Sequence, residues 1–129
     1  GSEMCIRDRA YLNAAEAEMH INGEGSAKAK GYIDALRNRA HAAVRPSYTL
    51  NDVLDERSRE LYCEGLRRTD LIRFNQFGGT QATYKWELKG GSTKGTTFAK
   101  TNNLYPIPSS EILSNKNLTQ IDGYNEVQN

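Results

Sequence analysis

The segment Asp55–Phe74 constrains the fold most, because acidic and basic side chains are interleaved there at helical spacing around one glycine. Glu56, Glu60 and Glu64 recur every four residues, so they would line one face of a helix. Gly65 follows directly and favours a bend or an interruption. The segment therefore predicts a charged helix that turns at Gly65.

The same three glutamates raise a catalytic alternative. Paired carboxylates can act as acid and base in glycoside hydrolysis if their environments separate their pKa values. Arginines stand between them, and Asp55–Arg59 and Glu64–Arg68 have the spacing of ion pairs. We therefore predict salt bridges and no catalytic residues, and a small glycosidase is the weakest functional hypothesis.

Helical periodicity covers most of the chain before residue 76. Ser26 is placed to cap the second helix, and Thr49 with Asp52 resembles a capping box for the third. Gly31 lies inside the second helix, where we expect a crossing partner helix to explain it. The four predicted helices span residues 8–21, 27–43, 50–64 and 66–75.

The first two helices are joined by a short loop, which implies an antiparallel hairpin similar to a tetratricopeptide pair. Gly23 suits a left-handed helix end in this loop. Tyr11, Leu12 and Met19 form part of an apolar stripe on the first helix. We expect this stripe to be exposed, since one hairpin normally needs stacked neighbours, and to drive self-association of the chain unless the first helix rearranges to hide it.

After Gly78 and Gly79 the chain becomes rich in Thr, Gly and Lys. Tyr84, Trp86 and Leu88 alternate with polar residues, which is the period of a half-buried strand. A return strand at 96–99 could complete a small β-hairpin. The prediction is a mainly α fold with a tetratricopeptide-like helical hairpin, further helices and an irregular C-terminal part that could hold this β-hairpin.

Pro106 and Pro108 fix an extended segment at 104–108. We expect at least one of Tyr105 and Ile107 to be buried. Ser109 is placed to cap a short helix that runs to Leu113.

Composition excludes several classes of function. The net charge is +1, with 17 basic and 16 acidic residues, so a nucleic-acid partner is not predicted. His20 and His41 have no ligand or nucleophile at suitable spacing, and Cys5 and Cys63 are expected to be free thiols. We predict no metal site, no cofactor and no catalytic centre, and neither a membrane span nor a signal peptide is expected.

Tyr84 and Trp86 are the candidate glycan-binding residues, because aromatic faces stack on the apolar faces of sugars and both rings would lie on one side of a strand. The alternative is that this side packs on the helices, since large aromatic residues dominate small cores.

Two motifs carry a family resemblance: Glu-Gly-x-Arg-Arg-x-Asp-Leu-Ile-Arg-Phe at 64–74 and Leu-Tyr-Pro-Ile-Pro-x-x-Glu-Ile at 104–112. With Gln120 and Gly123-Tyr124, they resemble the C-terminal part of the SusD/RagB family of surface glycan-binding lipoproteins of Bacteroidetes. Cys63, and Leu66 where a histidine is frequent, are mild departures. Gly1 and Ser2 resemble a protease-cleavage scar and 4–9 resembles a translated sequencing adapter, so we expect 10–129 to form one SusD/RagB-like region.

The resemblance implies a non-catalytic, lipid-anchored protein on the outer face of the outer membrane. It implies that the protein captures oligosaccharides and covers a TonB-dependent transporter as part of a nutrient-uptake complex. Family members are several-fold longer, so the resemblance implies a C-terminal fragment, and no glycan-binding residue is carried over. The alternative is a helical protein–protein interaction module without a carbohydrate role.

Overall fold

A computed structural model describes residues 3–124, and side chains from residue 6 onward. The predicted scar at Gly1 and Ser2 lies outside this range, as does the side chain of Cys5. The chain divides into two compact units, Gly1–Asp70 and Leu71–Asn129, and each is considered by itself.

Helices dominate the secondary structure, as predicted. The described residues form five α-helices: α1 Glu3–Asn22, α2 Ala27–Arg39, α3 Leu50–Glu60, α4 Arg67–Arg73 and α5 Ser109–Ser114. Two short 3₁₀ turns, Lys89–Gly91 and Lys100–Asn103, lie between α4 and α5. Across the described chain, no helix is both long and apolar enough to cross a membrane.

In the first unit, α1 packs against both α2 and α3. Leu12 of α1, Leu36 of α2 and Leu61 after α3 form the centre of this core, and Tyr11 packs beside them. The expectation that Tyr11, Leu12 and Met19 would be exposed is wrong, because Leu12 and Met19 are buried and Tyr11 is half-buried against Tyr32. α3 provides the cover that a single hairpin lacks, so this stripe offers no basis for self-association.

The predicted starts of α2 and α3 are confirmed, whereas α1 begins at Glu3 and not at residue 8. The Ser26 hydroxyl accepts a hydrogen bond from the Ala29 amide, and Gly23 adopts a left-handed φ of 86° after α1. At α3, Thr49 accepts from the Asp52 amide at 3.2 Å while the Asp52 carboxylate accepts from the Thr49 amide at 2.8 Å. These caps satisfy amides that the first helical turn leaves without intrahelical partners.

Two predicted helix ends are wrong. α2 ends at Arg39 instead of Ala43, because His41 takes a left-handed φ of 54°. α3 ends at Glu60, and left-handed Cys63 and Gly65 then carry the chain into α4. Glu64 therefore lies outside the helix that was predicted to contain it.

The expected explanation for Gly31 is also wrong. No atom lies within 4 Å of the position that a Cβ would occupy there, and Gly31 is exposed. No helix crosses α2 at this glycine.

The predicted β-hairpin does not form in the second unit. Within residues 3–124 the isolated β-bridge is a parallel one between Gly78 and Phe98, and 84–88 and 96–99 do not pair as strands. Leu88 has a left-handed φ of 65° and is exposed, so the alternation of Tyr84, Trp86 and Leu88 does not continue as a strand.

Both ends of the segment 104–108 are extended, with ψ of 160° at Leu104 and 139° at Pro108. The N-cap of α5 is Pro108 and not Ser109, so the predicted cap is wrong. The Gln120 side chain accepts from the Ile107 amide at 3.0 Å and donates to its carbonyl at 2.9 Å, as a neighbouring strand would. Ile107 is only half-buried and Tyr105 is exposed, so the prediction that one of them is buried is wrong. The backbone of this segment is fixed by a side chain instead of by a hydrophobic contact.

Candidate functional site

The glutamates of Asp55–Phe74 pair with arginines. From α2, Arg37 lies 2.9 Å from Glu56 and Arg39 lies 2.6 Å from Glu60, and from α3 itself Arg59 lies 2.5 Å from Glu56. Glu64 lies 4.0 Å from Arg9. The prediction of ion-paired glutamates is confirmed.

Burial and a salt bridge act in opposite directions on the pKa of the Glu60 carboxyl. Burial raises the pKa of this carboxyl, and the charge of Arg39 opposes that rise. A neighbouring carboxylate, Glu56, acts in the same direction as burial. Glu56 and Glu60 are both held by arginines, so the arrangement supports helix packing.

Arg57 holds the first unit together from a buried position. Its Nε donates to the Asp70 carboxylate at 2.9 Å, and one terminal nitrogen donates to Asn13 at 2.7 Å. Arg57 and Asp70 are 4% and 3% exposed. This arginine connects α1, α3 and α4, so the charged motif seen in the sequence is a packing element.

Among residues 3–124, no group of three or more histidine, cysteine or carboxylate side chains is placed to hold a metal ion.

An aromatic cluster lies in the loops of the second unit. Trp86 is 6.5 Å from Tyr84 and 6.2 Å from Phe98, measured between ring centroids, and it meets Phe98 edge-on. Phe98 in turn lies 5.1 Å from Phe77. Trp86 remains 38% exposed although it contacts two rings, so part of the indole is available to a ligand.

Lys89 occupies the inner side of this aromatic cluster. Its ammonium lies 4.6 Å from the centre of the Trp86 ring and 5.2 Å from that of Phe98, within the range of cation–π attraction. The same ammonium donates to the Tyr84 carbonyl at 2.9 Å. Lys89 is only 1% exposed, which is rare for a lysine. Burial lowers its pKa, and the charge of Lys85 lowers it further.

Glycine makes the close approach around Trp86 feasible. Gly95 has a φ of 70°, and a Cβ there would lie 2.3 Å from the Trp86 carbonyl oxygen. Only glycine combines that backbone conformation with that contact. Gly95 therefore allows the loop backbone to pass close to the carbonyl of Trp86.

A groove of about 480 Å³ is lined in part by Phe98. Polar side chains of Thr80, Gln81, Thr97 and Lys100 line it beside the Phe98 ring. Hydroxyl, amide and ammonium groups next to an aromatic ring match the mixed polar and apolar surface of a sugar.

The structure brings together both residues singled out in the sequence, Tyr84 and Trp86, although through a loop instead of a strand. Sequence reasoning missed Phe98 and Lys89. Neither residue belongs to a periodic pattern that would have indicated its role. A lysine in a Thr/Gly/Lys-rich segment is also normally exposed to solvent.

Comparison with known proteins decides the family. The SusD family matches residues 10–124. The chain belongs to the SusD family. It is 43% identical over 116 residues to the starch-binding protein SusD of Bacteroides thetaiotaomicron, covering 89% of this chain and 20% of that protein.

A solved structure agrees with this membership. Surface glycan-binding protein A from Bacteroides uniformis matches with a TM-score of 0.69 and 30% identity, covering 88% of this chain and 26% of that one. The chain thus spans about a fifth of the length of its curated SusD relative and about a quarter of that solved chain.

Proposed function

We propose that this SusD-family chain contributes to non-catalytic capture of glycans, and that Trp86 with Tyr84 forms a sugar-stacking surface. The supporting observation is that Trp86 stays 38% exposed while Phe98 and Lys89 hold it from within. A ring that served only as core would be covered. The two relatives described above are named for binding starch and surface glycans, which supports the same ligand class here.

The groove beside Phe98 extends this surface. We propose that a further sugar unit occupies this groove, which shares Phe98 with the aromatic cluster and is lined by Thr80, Gln81 and Thr97. Small-ligand sites commonly combine an apolar platform with a few polar groups that set orientation. An oligosaccharide therefore suits the site better than a single sugar.

For the complete protein, we propose a lipid-anchored location on the outer face of the outer membrane and cooperation with a TonB-dependent transporter. Family membership supports this assignment, and a role in capture needs no catalytic residue. The ion-paired state of Glu56 and Glu60 is consistent with binding without hydrolysis.

Isothermal titration with maltoheptaose, cellohexaose and mannohexaose tests the proposed surface. Stacking that buries on the order of 60 Å² of ring contributes about 1.5 kcal/mol, which is about tenfold in affinity. Trp86→Ala should therefore weaken binding about tenfold. Tyr62→Ala is the matched control, because Tyr62 is 81% exposed in the first unit and should leave the affinity unchanged. Equal affinities for both variants, or no binding by the unmodified chain to any of these glycans, would contradict the proposal.

A further inference from the structure

We infer that Lys89 is a positioning residue for the Trp86 surface: its buried ammonium fixes the indole from the inner side so that the remaining area faces a glycan. This inference rests on the proposed function, because it concerns the same surface. Lys89 itself would not touch the sugar, since it is 1% exposed.

Geometry supports a specific task for this lysine. An ammonium 4.6 Å from the centre of the Trp86 ring covers one region of the indole, so the exposed area lies elsewhere on the side chain. The same ammonium lies 5.2 Å from the centre of the Phe98 ring. One cation therefore holds two rings that come from different parts of the loop.

Hydrogen bonds fix the ammonium in turn. It donates to the Tyr84 carbonyl at 2.9 Å and approaches the Gln76 carbonyl at 3.5 Å. The Gln76 side chain also accepts from the Tyr84 amide at 2.9 Å. Lys89 thus connects the backbone that carries Tyr84 to the ring of Trp86, two residues along the chain.

The energetic argument excludes a passive role. Burying a lysine is unfavourable unless its charge is compensated, and burial lowers the pKa of this ammonium. An apolar side chain at position 89 would fill the space without that cost. What the lysine adds is a directional link between carbonyl oxygens and two aromatic faces. Such fixed geometry improves affinity because less conformational entropy of the protein side chains is lost when a ligand binds.

The experiment uses the full chain and its single tryptophan, which makes fluorescence specific for Trp86. Lys89→Met removes the cation and keeps an apolar chain of similar length. Lys85→Met is the matched control, an exposed lysine of the same loop. We expect Lys89→Met to raise acrylamide quenching of Trp86 about twofold and to weaken glycan binding about five- to tenfold. Lys85→Met should change neither, and far-UV circular dichroism should show unchanged helix content.

If Lys89→Met does not fold, a second pair of variants tests whether the positive charge at position 89 fixes the Trp86 ring. Lys89→Arg keeps a cation, whereas Lys89→Gln keeps only a neutral hydrogen-bond donor. The inference predicts low quenching for the arginine variant and high quenching for the glutamine variant. Equal quenching in these two variants, or equal quenching in Lys89→Met and Lys85→Met, would overturn it.

The two proposals fail differently. If the unmodified chain binds no glycan but quenching still depends on the cation at position 89, the proposed function fails and the positioning of Trp86 stands. If the chain binds glycans and the Lys89 variants bind as well as Lys85→Met, the function stands and the inference fails.

Discussion

Removing the guanidinium of Arg57 should destabilise the first unit more than any surface change. Arg57→Met keeps the aliphatic part of the side chain and removes the group that binds Asp70 at 2.9 Å and Asn13 at 2.7 Å. The side chains of Arg57 and Asp70 are each 4% exposed, so water does not replace the lost partner. Breaking a buried pair by removing one charge costs about 3–5 kcal/mol.

Urea denaturation followed by far-UV circular dichroism measures this loss. With a slope of about 1.5 kcal/mol per molar urea, a loss of about 3 kcal/mol lowers the midpoint by about 2 M. The matched control is Arg45→Met, because the Arg45 side chain is 49% exposed and its pair with Asp52 lies at the surface. Exposed pairs contribute less than about 1 kcal/mol, so the control midpoint should move by less than about 0.7 M.

A double-mutant cycle separates the pair from its parts. Asp70→Asn alone should also destabilise, and the double variant should lose less than the sum of the single variants by about 1–3 kcal/mol. Strict additivity, or a midpoint for Arg57→Met equal to that of the Arg45 control, would refute the view that this buried pair connects α3 to α4.

Three further predictions concern single positions. Gly31→Ala should stabilise the chain by about 0.5–1 kcal/mol in the same urea assay, because alanine favours the helix more than an exposed glycine and nothing lies within 4 Å of the new Cβ. Destabilisation would mean that α2 is not helical at this position. Gly95→Ala should raise acrylamide quenching of Trp86, because the added Cβ would lie 2.3 Å from the Trp86 carbonyl oxygen. Gly91→Ala has open space around the added Cβ and should raise quenching less, and the reverse order would contradict the loop geometry. Burial raises the pKa of Glu60, so the stability that this carboxyl contributes is present below its unfolded pKa and is lost as pH rises through its folded pKa. Glu60→Gln should therefore gain stability relative to the unmodified chain as the pH rises from acid to neutral. A relative loss of stability over this range would show that the sign is wrong.

Local rules in the sequence predicted the helical part well. Ser26 and Thr49 are confirmed as caps. They were predictable because their capping hydrogen bonds involve residues only three positions away. The early ends of α2 and α3 were not predictable in the same way. His41 and Cys63 take left-handed conformations that neither residue type favours by itself.

Tertiary contacts explain the other differences. Arg59 pairs with Glu56 within α3, but Arg37 and Arg39, the other partners of Glu56 and Glu60, come from α2, and no spacing within α3 encodes those contacts. In the second unit the alternation at Tyr84 and Trp86 predicted a strand, but Leu88 turns the chain and buries Lys89 instead. The sequence identified the two rings of the candidate site, while the cation that holds one of them follows only from the three-dimensional contacts.

The central claim is that a glycan contacts Trp86, and the indole N–H of this single tryptophan reports on it directly. A titration of the chain labelled with ¹⁵N, using the tightest binder of the three glycans, should shift the one indole cross-peak in step with the binding isotherm. Amide signals around Phe98 should shift with it, while Tyr62 in the first unit should not. Saturable glycan binding that leaves the indole cross-peak in place would contradict the account.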